Sequence, residues 1–416
     1  MVLRQILVLL LVLATSCSSS SALFGSSTSP PSVTTPDLSS VFSTLSPSLL
    51  RNFQSSPLHF PSLLPSPSSL FNLSTLDSLV GTHVSGHTTS RTNGTWLPSP
   101  LNPNQLSGLP LQSSHITSAL KRNSTISFNT ASSLFPSISS LSLSSLSELR
   151  YPCNVNVYIS PVNDGEESVV PVHTDRQDVL IFQTEGIKKW TVYPRPLIPR
   201  TSNNKIKLNP LSRGKAGDVI SPLELTSPTS YTLKPGDVLY VPLGFPHHTS
   251  TVSRTESIHL TLGLDTVVWG LTLMHLRWAC MSFSGLKYDV DMGGVGDEGY
   301  WKCMKGIMFE GEEREEDVEK FMRELEPERK DFPSRKEIKE VIRIFQKHKE
   351  KIIEVQAKMY TNVNPHDPEN IVKAVRGGRD LDMCMAELGT AVKCKAFYEE
   401  YMKKVEVADG QLEKMK

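Results

Sequence analysis

Residues 233–248 read LKPGDVLYVPLGFPHH. Pro235-Gly236-Asp237 is a turn, because proline presets φ and glycine accepts the positive φ such turns need. Residues 238–241, Val-Leu-Tyr-Val, follow as a short strand. Pro242 to Pro246 then break regular structure and deliver His247 and His248, of which one is left without a ligating role. About seventy residues upstream, residues 173–193 read HTDRQDVLIFQTEGIKKWTVY. On an extended chain His173 and Asp175 point to the same face and can hold one metal ion together. Two histidines and one carboxylate form a facial triad that suits non-haem Fe(II). Its open positions take a bidentate organic acid and O2.

The segments around these pieces are strand-like. Residues 153–159, CNVNVYI, alternate polar and apolar. Residues 179–182 and 189–193 read as further strands, split by the turn at Glu185-Gly186, and residues 257–262 as another. Proline and glycine punctuate the runs at short spacing with no helical period between them. That pattern predicts an antiparallel barrel or jelly roll.

The chain has 416 residues, 38% hydrophobic and 21% charged, with a formal net charge of zero. That composition supports one large domain and a smaller one. It excludes a strongly basic nucleic-acid binder and an acidic disordered chain. Six cysteines do not make a disulfide scaffold. The charge is unevenly spread, since residues 1–150 carry nine charged side chains and the remainder 77.

Residues 1–22 have the pattern of a signal or targeting segment: Arg4, a short apolar run, then small residues. The run is short for a transmembrane helix, so no anchor is expected after processing. A buried helix or an uncleaved anchor is the other reading. Residues 23–37 are a Ser/Thr/Pro-rich linker or a second targeting element, leading to the secretory pathway or an organelle such as a plastid. Sequons stand at Asn72, Asn93 and Asn123. The Ser-rich stretch 38–150 carries recurring Leu, Phe and Ile and reads as folded, with serine standing in for charge on helix surfaces. Asn72 or Ser74 caps a helix through Leu76 and Leu79, and residues 142–149 form another.

At the other end, residues 265–281 read as a helix closing the core and residues 290–299 as turns. A strongly charged helical stretch follows Glu310. Ser334 to Glu337 form a capping box for an amphipathic helix of about 25 residues. A last helix covers residues 381–402. Glutamates interleave the basic residues of 334–350, which makes that stretch a solvated helix face and leaves no strong nucleic-acid signal.

Together NVYISP (156–161), residues 173–193, residues 233–248 and SIHLTLG (257–263) resemble the JmjC cupin dioxygenases, most closely the ribosomal-oxygenase branch. The likeness extends upstream to Ser56–Phe60 and residues 73–80, and so covers roughly 38–275. It implies a mainly β fold: a double-stranded β-helix (cupin/jelly-roll) core with flanking helices, and an α-helical region over 276–416 that suits homodimerisation. It implies Fe(II) held by His173, Asp175 and His247, with 2-oxoglutarate and O2 as cosubstrates. Lys188 matches the lysine that pairs with the distal carboxylate of 2-oxoglutarate, while Lys189 should face outward. Tyr158 and Asn156 match groups lining the cosubstrate pocket, and Thr261, Ser257 and His259 are candidates for the same lining. The implied reaction hydroxylates a side chain of a protein or peptide substrate and releases succinate and CO2. Demethylation of N-methyl-lysine by the same chemistry is the alternative, and an inactive cupin used as a binding module is another, against which the intact triad and Lys188 stand.

The chain departs from the family in places. The stretch 159–172 is long and carries Asp164, Glu166 and Glu167 near the expected substrate mouth. Thr174 stands where an aromatic is common, and Leu243 where an arginine is. The N-terminal targeting pattern is unusual for this branch, whose members act mostly in nuclei or on ribosomes. The resemblance alone would place the chain in the nucleus.

Overall fold

The computed structural model describes residues 38–52, 56–82, 86–92, 95–101, 110–162, 168–175, 177–197, 213–214, 220–252, 254–266 and 335–391. The expected targeting segment and linker (1–37), Asn93, the acids of 163–167, the helix over 267–281, the charged stretch after Glu310, Ser334 and residues 392–402 lie outside them.

In chain order the elements are α1 (Ser39–Asn52), β1 (Leu58–Phe60), α2 (Pro67–Leu70), β2 (His87–Thr92), β3 (Thr95–Pro100), α3 (Ser113–Lys121), β4 (Thr125–Phe128) and α4 (Pro136–Leu149). Then come β5 (Cys153–Ser160), β6 (Ser168–His173), β7 (Asp178–Glu185), β8 (Lys188–Val192), β9 (Thr229–Leu233), β10 (Val238–Val241), β11 (His247–Thr251) and β12 (Ser257–Leu264). Helices α5 (Arg335–Tyr360) and α6 (Pro368–Ala391) close the series. One sheet runs β1-β10-β7-β12-β5-β4-β2-β3, and a second runs β6-β11-β8-β9. The pairings are antiparallel.

Alternation along the central strands decides what each face of the large sheet carries. Val155, Val157 and Ile159 of β5 and Ile258, Leu260 and Leu262 of β12 join a core with Leu38, Phe42 and Leu45 beside α4. Asn156, Tyr158 and Ser160, with Ser257, His259 and Thr261 opposite them, occupy the other face. That face meets the small sheet: Lys188 reaches Ser160, and Trp190 packs edge-on against His259. Val179, Ile181, Trp190, Val192, Leu233 and Val241 fill the space between the sheets. The result is the expected jelly-roll core, mainly antiparallel β with flanking helices.

Strand β10 matches the expected 238–241, while β7 and β12 run longer than expected. Strand β6 was not legible as a strand because Pro171 interrupts it. The proline is tolerated because β6 lies at the edge of its sheet. The turn at Gly186 has φ +65, and a Cβ there would lie 2.3 Å from the Glu256 carbonyl oxygen, so glycine is required. Lys189 is exposed, as the alternation predicts.

The Ser-rich N-terminal part packs differently from the surface role expected of its serines. Asn72 does cap a helix, of 3-10 type over Leu73–Leu79, with Oδ1 accepting from Thr75 N. The helix expected at 142–149 begins earlier, at Pro136, and three of its serines point inward. Ser139, Ser142 and Ser145 are buried. Ser142 and Ser132 share a hydroxyl–hydroxyl bond of 2.7 Å, and Ser132 Oγ accepts from Val155 N at 3.2 Å. Small side chains, with Ser132 and Ser142 bonded to each other, let α4 lie close to β5.

Helices α5 and α6 pack on this layer and on each other. Gln356 Oε1 accepts from Cys153 N at 2.9 Å, Tyr360 Oη donates to Cys153 O at 2.9 Å, and Asn370 Nδ2 donates to Ser133 O at 3.0 Å. Ile352, Ile353 and Leu388 are buried there. Among the described residues no helix is long and apolar enough to cross a membrane.

Candidate metal centre

Antiparallel pairing of β6 with β11 sets His173 directly opposite His247. Their rings are 4.4 Å apart between centroids and tilted by 58°. Each Nδ1 sits by a backbone carbonyl two residues earlier: His173 at 2.9 Å from Pro171 O, His247 at 3.0 Å from Phe245 O. A carbonyl only accepts, so Nδ1 carries a hydrogen, and in the neutral ring Nε2 then holds the lone pair. Both Nε2 atoms face Asp175 Oδ2, at 4.0 Å and 3.5 Å. The three ligand atoms lie within 4.8 Å of one another. Two neutral imidazoles and a carboxylate with their lone pairs turned inward are the donor set an Fe(II) ion takes. His247 is buried, whereas the Asp175 side chain keeps 26% of its exposure, so the centre opens on the Asp175 side. His248 lies outside this cluster.

Asp175 is held through its neighbours. Its carbonyl accepts from Gly244 N at 2.8 Å, which ties it to the loop before His247. Fully buried Asp178 accepts from Tyr240 Oη at 2.6 Å, from Leu243 N at 3.3 Å and from Thr266 Oγ1. The carboxylate thus fixes the strand and the loop that lead into His247.

Lys188 lies deeper between the sheets, 1% exposed. Its Nζ donates to Ser160 Oγ at 2.6 Å and to Thr251 Oγ1 at 3.1 Å. Burial pushes its pKa down to about 7. Among the described residues no carboxylate pairs with it, and two hydroxyls leave its third donor unused. A buried ammonium without a countercharge is costly, and an anionic ligand relieves that cost.

Three cross-strand pairs line the inner face: Asn156 with Thr261, Tyr158 with His259, and Ser160 with Ser257. The Tyr158 and His259 rings stack at 5.1 Å and 14°. Burial pushes Tyr158 up to about 12, helped by the Asp175 charge, so its phenol stays protonated at neutral pH. Burial, then the Lys188 charge, holds His259 well below the usual imidazole range, which keeps it neutral. Trp190 lies between His247 (5.7 Å) and His259 (5.5 Å). Trp190 Nε1 and His259 Nδ1 are buried without a hydrogen-bond partner. Ser160, Thr251 and Trp190 are site residues that the sequence did not single out. Ser160 was within reach, being two residues beyond Tyr158 on the same alternating strand.

The family model for the JmjC domain matches residues 140–270. This stretch is similar to a JmjC domain. Strands β5 to β12, the His173–Asp175–His247 cluster and Lys188 all fall within it. Ribosomal oxygenase 2 of Rattus norvegicus is 34% identical over 138 residues, covering 32% of this chain and 25% of that protein. The bifunctional lysine-specific demethylase and histidyl-hydroxylase NO66 of Drosophila grimshawi is 28% identical over 141 residues, covering 33% and 17%. The chain therefore spans a quarter or less of the length of these relatives. The solved structure of Escherichia coli ycfD covers 73% of this chain and 70% of its own, at 16% identity and a TM-score of 0.38. A score that low supports no inference about the JmjC domain.

Proposed function

We propose that the chain is an Fe(II)- and 2-oxoglutarate-dependent oxygenase that hydroxylates a side chain of a protein or peptide substrate. The observation that carries this reading is the pairing, along one sheet, of a three-ligand cluster with a buried lysine that lacks a carboxylate among the described residues. With O2, the bound ion and cosubstrate supply oxidative decarboxylation to succinate and CO2 and the transfer of one oxygen atom to a C–H bond. His173, Asp175 and His247 hold the metal and leave one side open. Lys188 neutralises the distal carboxylate of 2-oxoglutarate, oriented by Ser160 and Thr251. Tyr158, Asn156 and Thr261 line the cosubstrate's path, and the apolar residues around Trp190 exclude water from it.

The protein substrate rests on the relatives, one of which is named a histidyl-hydroxylase and a lysine-specific demethylase. Demethylation of N-methyl-lysine is the second reading. Partners trapped by tagged protein distinguish the two. A +16 Da residue absent with Asp175→Ala supports hydroxylation, formaldehyde release supports demethylation, and loss of neither sinks both. Residues 1–22 are proposed as the targeting segment, into the secretory pathway or a plastid. A reporter fused to residues 1–40 that stays cytosolic or enters the nucleus refutes that. A homodimer would use the faces of α5 and α6 turned away from the barrel; a monomer mass in light scattering overturns it.

A further inference from the structure

Strand β6 ends at His173, so Thr174 and Asp175 lie beyond its ladder. A ligand two residues past the end of an edge strand needs other restraints, or its ordering is charged against metal binding. The carbonyl of Asp175 has one in Gly244 N. The other is at Thr174, which is fully buried. Its hydroxyl accepts from Arg213 N at 2.8 Å, and its own N–H donates to Arg213 O at 3.0 Å. Thr174 and Arg213 therefore exchange two hydrogen bonds, one through a side chain.

The next residue fixes how close the two segments lie. Gly214 has φ +74 and rests on β6, where a Cβ would come within 2.3 Å of Val172 O and 2.8 Å of His173 Cα. No other residue permits that approach. The Arg213 guanidinium bonds Glu224 Oε1 at 3.0 Å, and Glu224 Oε2 accepts from Ser221 N at 3.0 Å. Arg213 is thereby tied to the short 3-10 turn Pro222–Glu224. No aromatic side chain carries a hydroxyl on Cβ, where Thr174 receives Arg213 N, so this contact belongs to the departure from the family pattern.

We propose that Arg213–Gly214 is a latch on the middle residue of the His-x-Asp motif, and that Thr174 is a positioning residue setting the placement of His173 and Asp175 for the metal. The proposal rests on the metal reading of the cluster. Groups that orient metal ligands typically change affinity by about 10–100-fold when removed. Valine matches threonine in shape and lacks the hydroxyl; serine keeps it.

The test is anaerobic Co(II) titration of the full chain, read by absorption, with amide hydrogen exchange of the metal-free protein beside it. Thr174→Val is expected to weaken Co(II) binding by about 10–100-fold and to speed exchange at Arg213 and Thr174. Thr174→Ser is expected to restore both. Glu224→Ala, a half-exposed change, is expected to weaken Co(II) in the same direction by less. Unchanged Co(II) affinity in Thr174→Val overturns the proposal. Should that variant not fold, unchanged affinity in Glu224→Ala overturns it instead. If wild type binds no Co(II), the metal reading fails, and exchange still decides the latch: faster in Thr174→Val supports it, equal rates refute it.

Discussion

Lys188 donates to Ser160 across the gap between the two sheets, at 2.6 Å, and no carboxylate among the described residues balances its charge. The unliganded barrel thus carries a destabilising group where the proposed cosubstrate would bind. Lys188→Met should separate the two effects. The folded pKa of Lys188, about 7, lies below the unfolded value near 10.4, so the unfolded chain binds more protons between them. The penalty is absent above the unfolded value, grows as pH falls toward 7, and is constant below that. Urea unfolding without ligand should find Lys188→Met more stable than wild type, by on the order of 4 kcal/mol at pH 6.5 and little at pH 10.5. With metal present, adding 2-oxoglutarate should stabilise wild type by clearly more than it stabilises the variant.

Binding of 2-oxoglutarate should restore the ammonium. Near pH 8, titration calorimetry in buffers of differing ionisation enthalpy should register uptake approaching one proton per ligand. Lys188→Met, if any binding survives, should register none. Proton release in wild type would contradict the role given to Lys188.

Asp178 has no route to solvent and receives donors from Tyr240, Leu243 and Thr266. Asp178→Asn turns an amide donor toward them. The expected cost is about 2–3 kcal/mol in urea unfolding. Because Leu243 begins the loop into His247, metal affinity should fall in the same variant.

Ser142 faces Ser132 in the contact between α4 and β5. Ser142→Leu overfills that space and should cost about 1–3 kcal/mol of stability. Turnover per folded molecule should hold, since the site lies on the other face of the sheet.

The chemistry was more legible than the architecture, for identifiable reasons. His173, Asp175, His247 and Lys188 stand in a spacing that carries its own chemical logic, and the structure gathers the first three. Ser160 followed from the alternation of β5, had that strand been read one residue further. Thr251 did not, because its approach to Lys188 depends on the register of β11 against β8. Strand β6 hid behind Pro171, whose carbonyl nevertheless orients His173. The buried serines of α4 look like surface residues in composition, and only their packing partners reveal them as core. Thr174 was noted as a departure, but its partner Arg213 is 39 residues away and no local pattern connects them.

The central claim is an Fe(II) centre that consumes 2-oxoglutarate. The most direct measurement is succinate formed from 2-oxoglutarate by the purified full chain with Fe(II) and O2, wild type beside Asp175→Ala. Turnover by wild type, abolished in Asp175→Ala and strongly reduced in Lys188→Met, is the predicted result. No succinate from folded wild type, or equal amounts from Asp175→Ala, would contradict the account.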